Sequence, residues 1–366
     1  MANGLDDVVA ADTVLSDVDG AGGHLTIRGH SLTELAGHWR YGQVVRLLFD
    51  GFFDELPGDA ELEKAIGDAR VEVFERLQPM LTELAPLHIY SAMRAGIALL
   101  PDGDGLADAR RLTAAPAVLT PALLRLSRGK KPIAPDASAD HAADMLKMLG
   151  GTASPALAKA LDTYLVTVCD HGLNASTFAT RVVASTQAGL TSAILAGLGA
   201  LKGPLHGGAP GPVIEMLDAI EASGDAAAWL RDEIARGERI MGFGHRIYRV
   251  RDPRADVLKA VVRRLGARSQ TSSGKAGSRL AFAETVEQAA LEVLRVAKPQ
   301  RSIQTNVEFY TALLLEAAGF PEEAFSNVFA AGRVAGWIAH AREQQATGRL
   351  IRPQSRYVGP VPDLVA

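Results

Sequence analysis

The sequence predicts an all-α protein that opens with one short β-hairpin. Three observations carry this reading. Apolar residues recur at helical spacing along much of the 366-residue chain. Strand-like segments flanking a turn-rich spacer occur only near the start. Aromatic residues make up 5% of the chain, so Ala, Leu and Val build most of the core, which suits helices packed closely through small side chains.

The hairpin comes first: Thr13–Val18 and His24–Arg28 flank Asp19-Gly20-Ala21-Gly22-Gly23. Ser31-Leu32-Thr33-Glu34 is a capping-box pattern that opens a helix toward Leu48. From Ala60 to Leu84, residues Leu62, Ile66, Val71, Val73, Leu77 and Leu81 keep helical spacing. Further helices are expected around Ser91–Leu99, Ala117–Leu126 and His141–Leu149, and Pro155–Leu201 holds two, broken near Gly172. Gly203-Pro204 and Gly207-Gly208-Ala209-Pro210-Gly211 form a dense breaker cluster, read as a hinge or domain junction. Helices resume at Val213–Ala222 and Ala226–Arg236. Arg239–Asp252 reads as a loop centred on Gly242-Phe243-Gly244-His245. Asp252-Pro253-Arg254 starts the next helix, with Asp252 as N-cap and Pro253 as first helical residue. Ser269–Ser278 is polar and of low complexity, as in a mobile surface loop. Helices at Phe282–Ala297, Val307–Ala318 and Pro321–Gln345 follow, and the tail from Leu350 is extended and carries Arg352. No short repeat emerges, which argues against a solenoid.

The length allows two domains, or one large domain with an insertion. With 48% hydrophobic and 22% charged residues, the composition is that of a soluble globular protein. The net charge is -4 and the arginines are dispersed, so no basic stripe marks a nucleic-acid surface. The single cysteine, Cys169, cannot form an internal disulfide, which fits a reducing compartment, and it reads as a buried small hydrophobe. Met1–Asp7 lacks the basic and apolar regions of a signal peptide. The apolar stretch Ala188–Leu201 is too short and glycine-rich to span a bilayer. A cytoplasmic protein is the expectation, with no membrane partner.

Chemistry concentrates in three glycine-marked stretches: Asp170-His171-Gly172, Leu205-His206-Gly207 and Gly244-His245-Arg246. Glycine lets a ligand or backbone come close, and histidine moves protons near neutral pH. Asn174, Ser176 and Thr177 can cap the helix after His171, whose free N–H groups suit an anion; a capped turn with a hydrogen-bonded histidine is the plainer reading. His206 faces whatever enters the junction and can donate to a carbonyl oxygen as it becomes an enolate, or it is incidental to a hinge. Arg254 follows His245 by nine residues, a spacing that can hold a carbonyl and a carboxylate. Arg246, Arg249 and Arg251 lie between them, either to meet phosphates or as a solvated face. Glu308, in Asn306-Val307-Glu308-Phe309-Tyr310, stands at a helix start, where partial burial would raise its pKa and make it a better base; the alternative is a first-turn glutamate that only complements the helix dipole. A tetrahedral zinc site is disfavoured, because no His-x-x-x-His pair occurs and the arginines repel a cation.

Asp170–Thr177, Gly203–Ala209, Gly242–Arg254 and Asn306–Tyr310 resemble the citrate synthase family in order and in spacing, and the resemblance runs from about Leu5 to Gly359. It implies a nearly all-α, two-domain homodimer with shared active sites: residues 1–206 and 316–366 as the large domain on the oxaloacetate side, and 207–315 as a smaller mobile domain on the CoA side. It implies condensation of acetyl-CoA with oxaloacetate and hydrolysis of citryl-CoA, a tricarboxylic acid cycle reaction with no permanent cofactor and the CoA thioester as substrate. By motif, His171 contacts oxaloacetate, His206 hydrogen-bonds the thioester carbonyl, and His245 polarises the ketone. Arg254 and Arg333 hold the carboxylates, Arg352 reaches the partner's site, and Glu308 takes a proton from the acyl methyl. Arg249 and Arg301 meet CoA phosphates, and the backbone of Met241, Gly242 and Gly244 meets its adenine.

The family usually has aspartate at Glu308 and proline at Thr305. Glutamate carries the same group one methylene further out; a backbone shift absorbs that reach, or the base is misplaced by about an ångström at a cost on the order of 100-fold in rate. Two other readings follow: a 2-methylcitrate synthase using propionyl-CoA, and a catalytically weak paralogue that senses these ligands. Because the chain starts directly at the hairpin, a dimer is expected rather than a larger NADH-controlled assembly.

Overall fold

The computed structural model describes residues 8–151, 154–207, 210–269 and 275–360. Strands β1 (Ser16–Asp19), β2 (His24–Ile27) and β3 (His30–Ser31) form a small antiparallel sheet in the order β1-β2-β3. The register pairs Ser16 with Ile27 and Asp19 with His24, so the expected hairpin forms with a third, two-residue strand added. The capping box at Ser31 is present, with Glu34 and Ser31 each serving the other's backbone. It opens only α1 (Leu32–Leu35), because Gly37 takes φ +84° and ends the turn; α2 (Tyr41–Phe49) starts afresh.

The long helices follow: α3 (Asp59–Leu84), α4 (Ile89–Ala98), α5 (Leu106–Ser127), α6 (His141–Leu149), α7 (Pro155–Val168), α8 (Ala175–Ala184) and α9 (Leu190–Leu201). Helix α5 starts eleven residues earlier than expected and keeps Pro116 and Pro121 inside it. Prolines normally break such a helix. Here both are buried in the packed core, and the neighbouring Thr113 and Thr120 hydroxyls donate back to the carbonyls of Ala109 and Pro116 at 2.8 and 2.7 Å. The stretch Pro155–Leu201 is three helices rather than two: besides the break near Gly172, Gln187 and Gly189 adopt φ +63° and +93° and separate α8 from α9.

The second group is α10 (Gly211–Ser223), α11 (Ala226–Ala235), α12 (Pro253–Ser269), α13 (Lys275–Ala297) and α14 (Val307–Ala317), which pack on one another. Gly208 and Ala209 of the breaker cluster lie outside the described residues, as do 270–274 of the expected mobile loop. The rest of that loop is helical, since Ser269 ends α12 and Lys275 begins α13. A 3-10 turn at Glu322–Ala324 leads into α15 (Phe325–Thr347), followed by a coil tail.

Helix α15 runs through the middle of the first group and packs against α2, α4, α5, α7, α8 and α9. It is buried nearly all round, as its apolar sequence requires. Its polar residues Arg333, Trp337, His340 and Gln344 fall at helical spacing on one stripe and reach the α7–α8 turn and α8. No described helix is long and apolar enough to cross a membrane.

Candidate active site

His171 sits in the turn between α7 and α8. The helix can start there because the Asn174 side chain accepts from the backbone N–H groups of Ser176 and Thr177, both at 3.1 Å. Gly172 takes φ +58°, and its N–H donates to Ser16 Oγ at 2.9 Å. That hydroxyl donates onward to Asp170 at 2.5 Å. Asp170 is fully buried and faces His340 Nε2 at 3.2 Å; Arg181 donates to His340 Nδ1 at 2.8 Å, so the proton of a neutral His340 lies on Nε2, toward the carboxylate. Burial raises the Asp170 pKa, yet His340 and the Ser16 hydrogen bond outweigh it and hold the carboxyl below its usual range. The turn is thus tied to both the hairpin and α15.

The His171 ring meets the rings of His245 and Tyr248 edge-on, at centroid separations of 5.8 and 5.6 Å. Its Nε2 lies 3.2 Å from the Tyr248 hydroxyl. His245 is held by two backbone donors, since its Nδ1 accepts from the N–H groups of Ile247 and Tyr248 at 3.0 Å each. The proton of neutral His245 therefore sits on Nε2. That nitrogen faces Arg254 Nη2 at 3.2 Å, a donor against a donor. An anionic oxygen placed beside the pair and accepting from both would satisfy them. Arg254 is buried at the start of α12 and is gripped by Asp252, which also accepts from Val307 N–H at 3.2 Å.

His206 lies at the end of the α9 region. Its Nε2 is 2.7 Å from Ser176 Oγ, which also lies 2.7 Å from Asn174 Oδ1 and accepts from Trp337 Nε1 at 3.2 Å. The one hydroxyl proton of Ser176 decides which His206 nitrogen donates. Aimed at Asn174, it leaves Nε2–H on Ser176; aimed at His206, it leaves Nδ1–H for a substrate oxygen. Arg333 is buried one helical turn beyond Phe329, packs over that ring at 4.8 Å and donates to the Val168 carbonyl at 2.6 Å. The same Phe329 ring meets His206 edge-on at 6.4 Å.

The electrostatics mark one cluster. Burial, then Arg254 and Arg333, push His171 well below its ordinary value. Burial with Arg333 and Arg254 pushes His206, and burial with Arg254 pushes His245, down to about 4, so both are neutral at physiological pH. Burial pulls Arg333 down to about 10. Glu308, in the first turn of α14, moves the other way: burial pushes its carboxyl up to about 7, against the lowering pull of Arg254. Some of its surface remains open, but protein surrounds the carboxyl closely enough to disfavour the charge. Asn306 caps this helix, accepting from Glu308 N–H at 3.0 Å and donating to the Gly244 carbonyl at 2.8 Å. Gly242 and Gly244 adopt φ +80° and +83°, and a Cβ on Gly242 would lie 2.9 Å from Phe309.

His171, His206, His245, Arg254, Arg333 and Glu308 thus share one electrostatic neighbourhood, with Arg254 acting on all three histidines and on the glutamate. The backbone of Gly242 and Gly244 is tied to the cap of the Glu308 helix, because their carbonyls accept from Asn306 N–H at 2.9 Å and from its side chain at 2.8 Å, and Phe243 pairs with Thr305. Arg249 and Arg301 are exposed. Arg352 is exposed on the tail. Among the described residues, no group of three or more His, Cys, Asp and Glu side chains is placed to hold a metal ion.

Sequence reasoning missed Tyr248, Phe329 and His340. Tyr248 is three residues past His245 in the same loop, and Phe329 and His340 lie four before and seven after Arg333 on one helix. Spacing from the residues already singled out was the available signal. Ser176 and Asp252 were read only as caps, whereas they also orient His206 and Arg254.

A family model described as citrate synthase, C-terminal domain, matches residues 4–354. The chain is 40% identical to the putative citrate synthase 2 of Mycobacterium tuberculosis over 98% of its own length and 93% of that protein's. It is 36% identical to the citrate synthase of Haloferax volcanii, over 98% and 96% of the two chains. It is also 36% identical to the 2-methylcitrate synthase of Mycobacterium tuberculosis, over 97% and 90%. Among solved structures, the Thermoplasma acidophilum citrate synthase in ternary complex with carboxymethyl coenzyme A and oxaloacetate superposes with a TM-score of 0.86 at 28% identity, covering 99% of this chain and 97% of that one.

Proposed function

This chain belongs to the citrate synthase family, and on that premise we propose how its residues act in the family's reaction. The enzyme is a transferase that condenses acetyl-CoA with oxaloacetate and releases citrate and CoA, with no permanent cofactor. The observation that carries the assignment of roles is the pairing of neutral histidine donors and buried arginines with a carboxylate whose pKa is raised to about 7.

Arg254 and Arg333 hold the two carboxylates of oxaloacetate, and His171 contacts the same molecule. His245 Nε2–H and Arg254 Nη2, 3.2 Å apart, converge on one substrate oxygen; the histidine polarises the ketone. Glu308 removes a proton from the acyl methyl, and the electrons move onto the thioester oxygen, where neutral His206 donates a hydrogen bond. The resulting enolate carbon attacks the ketone. Neutral histidines can serve this step, because each still carries one N–H to give to a developing oxyanion. Hydrolysis of the citryl thioester completes the cycle.

Residues 1–206 and 316–366 act as the larger body and 207–315 as a smaller one that closes over the substrates. Support comes from the mutual packing of α10 to α14 and from the glycine-rich join at residues 203–211. Exposed Arg249 and Arg301 and the Met241–Gly244 backbone meet the CoA nucleotide. The working unit is a cytoplasmic homodimer in which Arg352 completes the partner's site; its place on an exposed tail with Tyr357 and Val358 supports this reading. Verified heterodimers of Arg352→Ala and Glu308→Gln subunits then recover part of the activity, and none if the sites are not shared. Propionyl-CoA is the second acyl donor, supported by the likeness to a 2-methylcitrate synthase.

The test is CoA thiol release with oxaloacetate and either acetyl-CoA or propionyl-CoA. Turnover with acetyl-CoA and citrate as product are expected. Binding of both ligands without thiol release would make the protein a sensor rather than an enzyme.

A further inference from the structure

Behind the Glu308 helix lies a buried carboxylate that the proposed chemistry does not use. Glu287, on α13, is 1% exposed. Its Oε1 accepts from the Thr305 hydroxyl at 2.7 Å. Its Oε2 accepts from the Tyr310 hydroxyl at 2.7 Å and from Lys259 Nζ at 2.5 Å. Arg251 Nη2 stands 3.7 Å from Oε1. Lys259 in turn lies 5.4 Å from the centroid of the Tyr310 ring.

Each partner belongs to a different segment of the site. Thr305 directly precedes Asn306, the cap of the Glu308 helix, and pairs with Phe243 in the loop that carries His245. Tyr310 is two residues beyond Glu308 on α14. Lys259 is five residues beyond Arg254 on α12, and Arg251 directly precedes Asp252. We propose that Glu287 and its Thr305 partner are positioning residues for the reaction, fixing where the Glu308 carboxylate stands relative to the loop of His245 and the helix of Arg254. This rests on the reading of Glu308 as the base.

The energetics favour a directional role. Burying a carboxylate is costly, and a well-packed apolar side chain would hold three helices together at least as well. What the carboxylate adds is two oxygens with fixed directions, each engaged by charge-assisted hydrogen bonds. Burial raises the Glu287 pKa, but bonds from Lys259, Tyr310 and Thr305 more than offset this and keep it ionised. The Thr305 bond holds the residue next to the Asn306 cap of the Glu308 helix, and its loss leaves Glu287 with Lys259 and Tyr310.

Thr305→Val removes that hydroxyl at nearly constant shape, and Thr305→Ser keeps it. With acetyl-CoA and oxaloacetate, Thr305→Val should lose roughly 10- to 100-fold in kcat, the scale of a sub-ångström to ångström misplacement, with the oxaloacetate KM within about twofold of wild type. Methyl-deuterated acetyl-CoA should then show a larger isotope effect on kcat in Thr305→Val than in wild type, because proton removal has become slower. Thr305→Ser should restore both kcat and the isotope effect. Wild-type kcat in Thr305→Val, or a kcat loss that Thr305→Ser does not rescue and that leaves the isotope effect unmoved, would overturn the proposal while leaving Glu308 as the base. A wild-type enzyme that releases no CoA would overturn both.

Discussion

Arg254 donates from Nε and Nη2 to the two carboxylate oxygens of Asp252, at 3.0 and 2.9 Å. Both residues are buried, and Asp252 uses a remaining lone pair on the Val307 N–H at the start of the Glu308 helix. One carboxylate therefore sets both the Arg254 guanidinium and the start of the helix that carries Glu308, the proposed base.

Replacing Asp252 with Asn leaves a buried guanidinium without its counter-charge, a change of about 3–5 kcal/mol for pairs of this kind. Asp252→Asn should raise the oxaloacetate KM at least tenfold and lower the melting temperature by several degrees. The exposed pair Lys64–Asp68 is the control: at 2.9 Å it has similar length, yet Asp68→Asn should leave both quantities nearly unchanged. Steady-state kinetics and thermal melts of the two variants check this.

The pH profile follows from Glu308. As the proposed base Glu308 must be ionised, and its carboxyl is pushed up to about 7, while His206 and His245 stay neutral down to about 4. kcat/KM for the acyl-CoA, which reports the free enzyme, should be half-maximal near pH 7 and fall about tenfold per unit below about pH 6. A profile flat from pH 5 to pH 8 would show that Glu308 is not the titrating base.

The same shift has a consequence for stability. The Glu308 pKa rises from 4.5 in the unfolded chain to about 7 in the folded one. Between those values the folded form holds a proton that the unfolded form has lost, so this group's contribution falls as pH rises through the window and stays low above it. Glu308→Gln carries no such burden. Its melting temperature should exceed that of wild type at pH 8, and the gap should narrow as pH falls toward 4.5.

Helix positions were legible where apolar spacing was regular, as in Asp59–Leu84 and His141–Leu149. They were misjudged where tertiary packing overrides local signals. Pro116 and Pro121 look like breakers in isolation, yet the buried interior of α5 absorbs them. The break at Gln187–Gly189 looked continuous because helix-forming sequence stands on both sides of this left-handed turn, in α8 before it and in the apolar α9 after it. In the candidate site, the glycine-flanked histidines and Glu308 could be picked out because each stands in a local motif. The groups that aim them come from far along the chain: His340 lies 170 positions from the Asp170 it faces, and Thr305 lies 18 from Glu287. Such pairings exist only after folding, and periodicity carries no trace of them. The exposed positions of Arg249, Arg301 and Arg352 in a single chain show the same limit from the other side.

Glu308→Gln tests most directly whether Glu308 is the base beside a cradle for a dicarboxylate. Thiol release by this variant should fall by at least three orders of magnitude, as loss of an essential proton-transfer group requires, while calorimetry shows oxaloacetate binding within a few-fold of wild type. A variant that keeps wild-type turnover, or that loses oxaloacetate binding while its turnover at saturation persists, would contradict it.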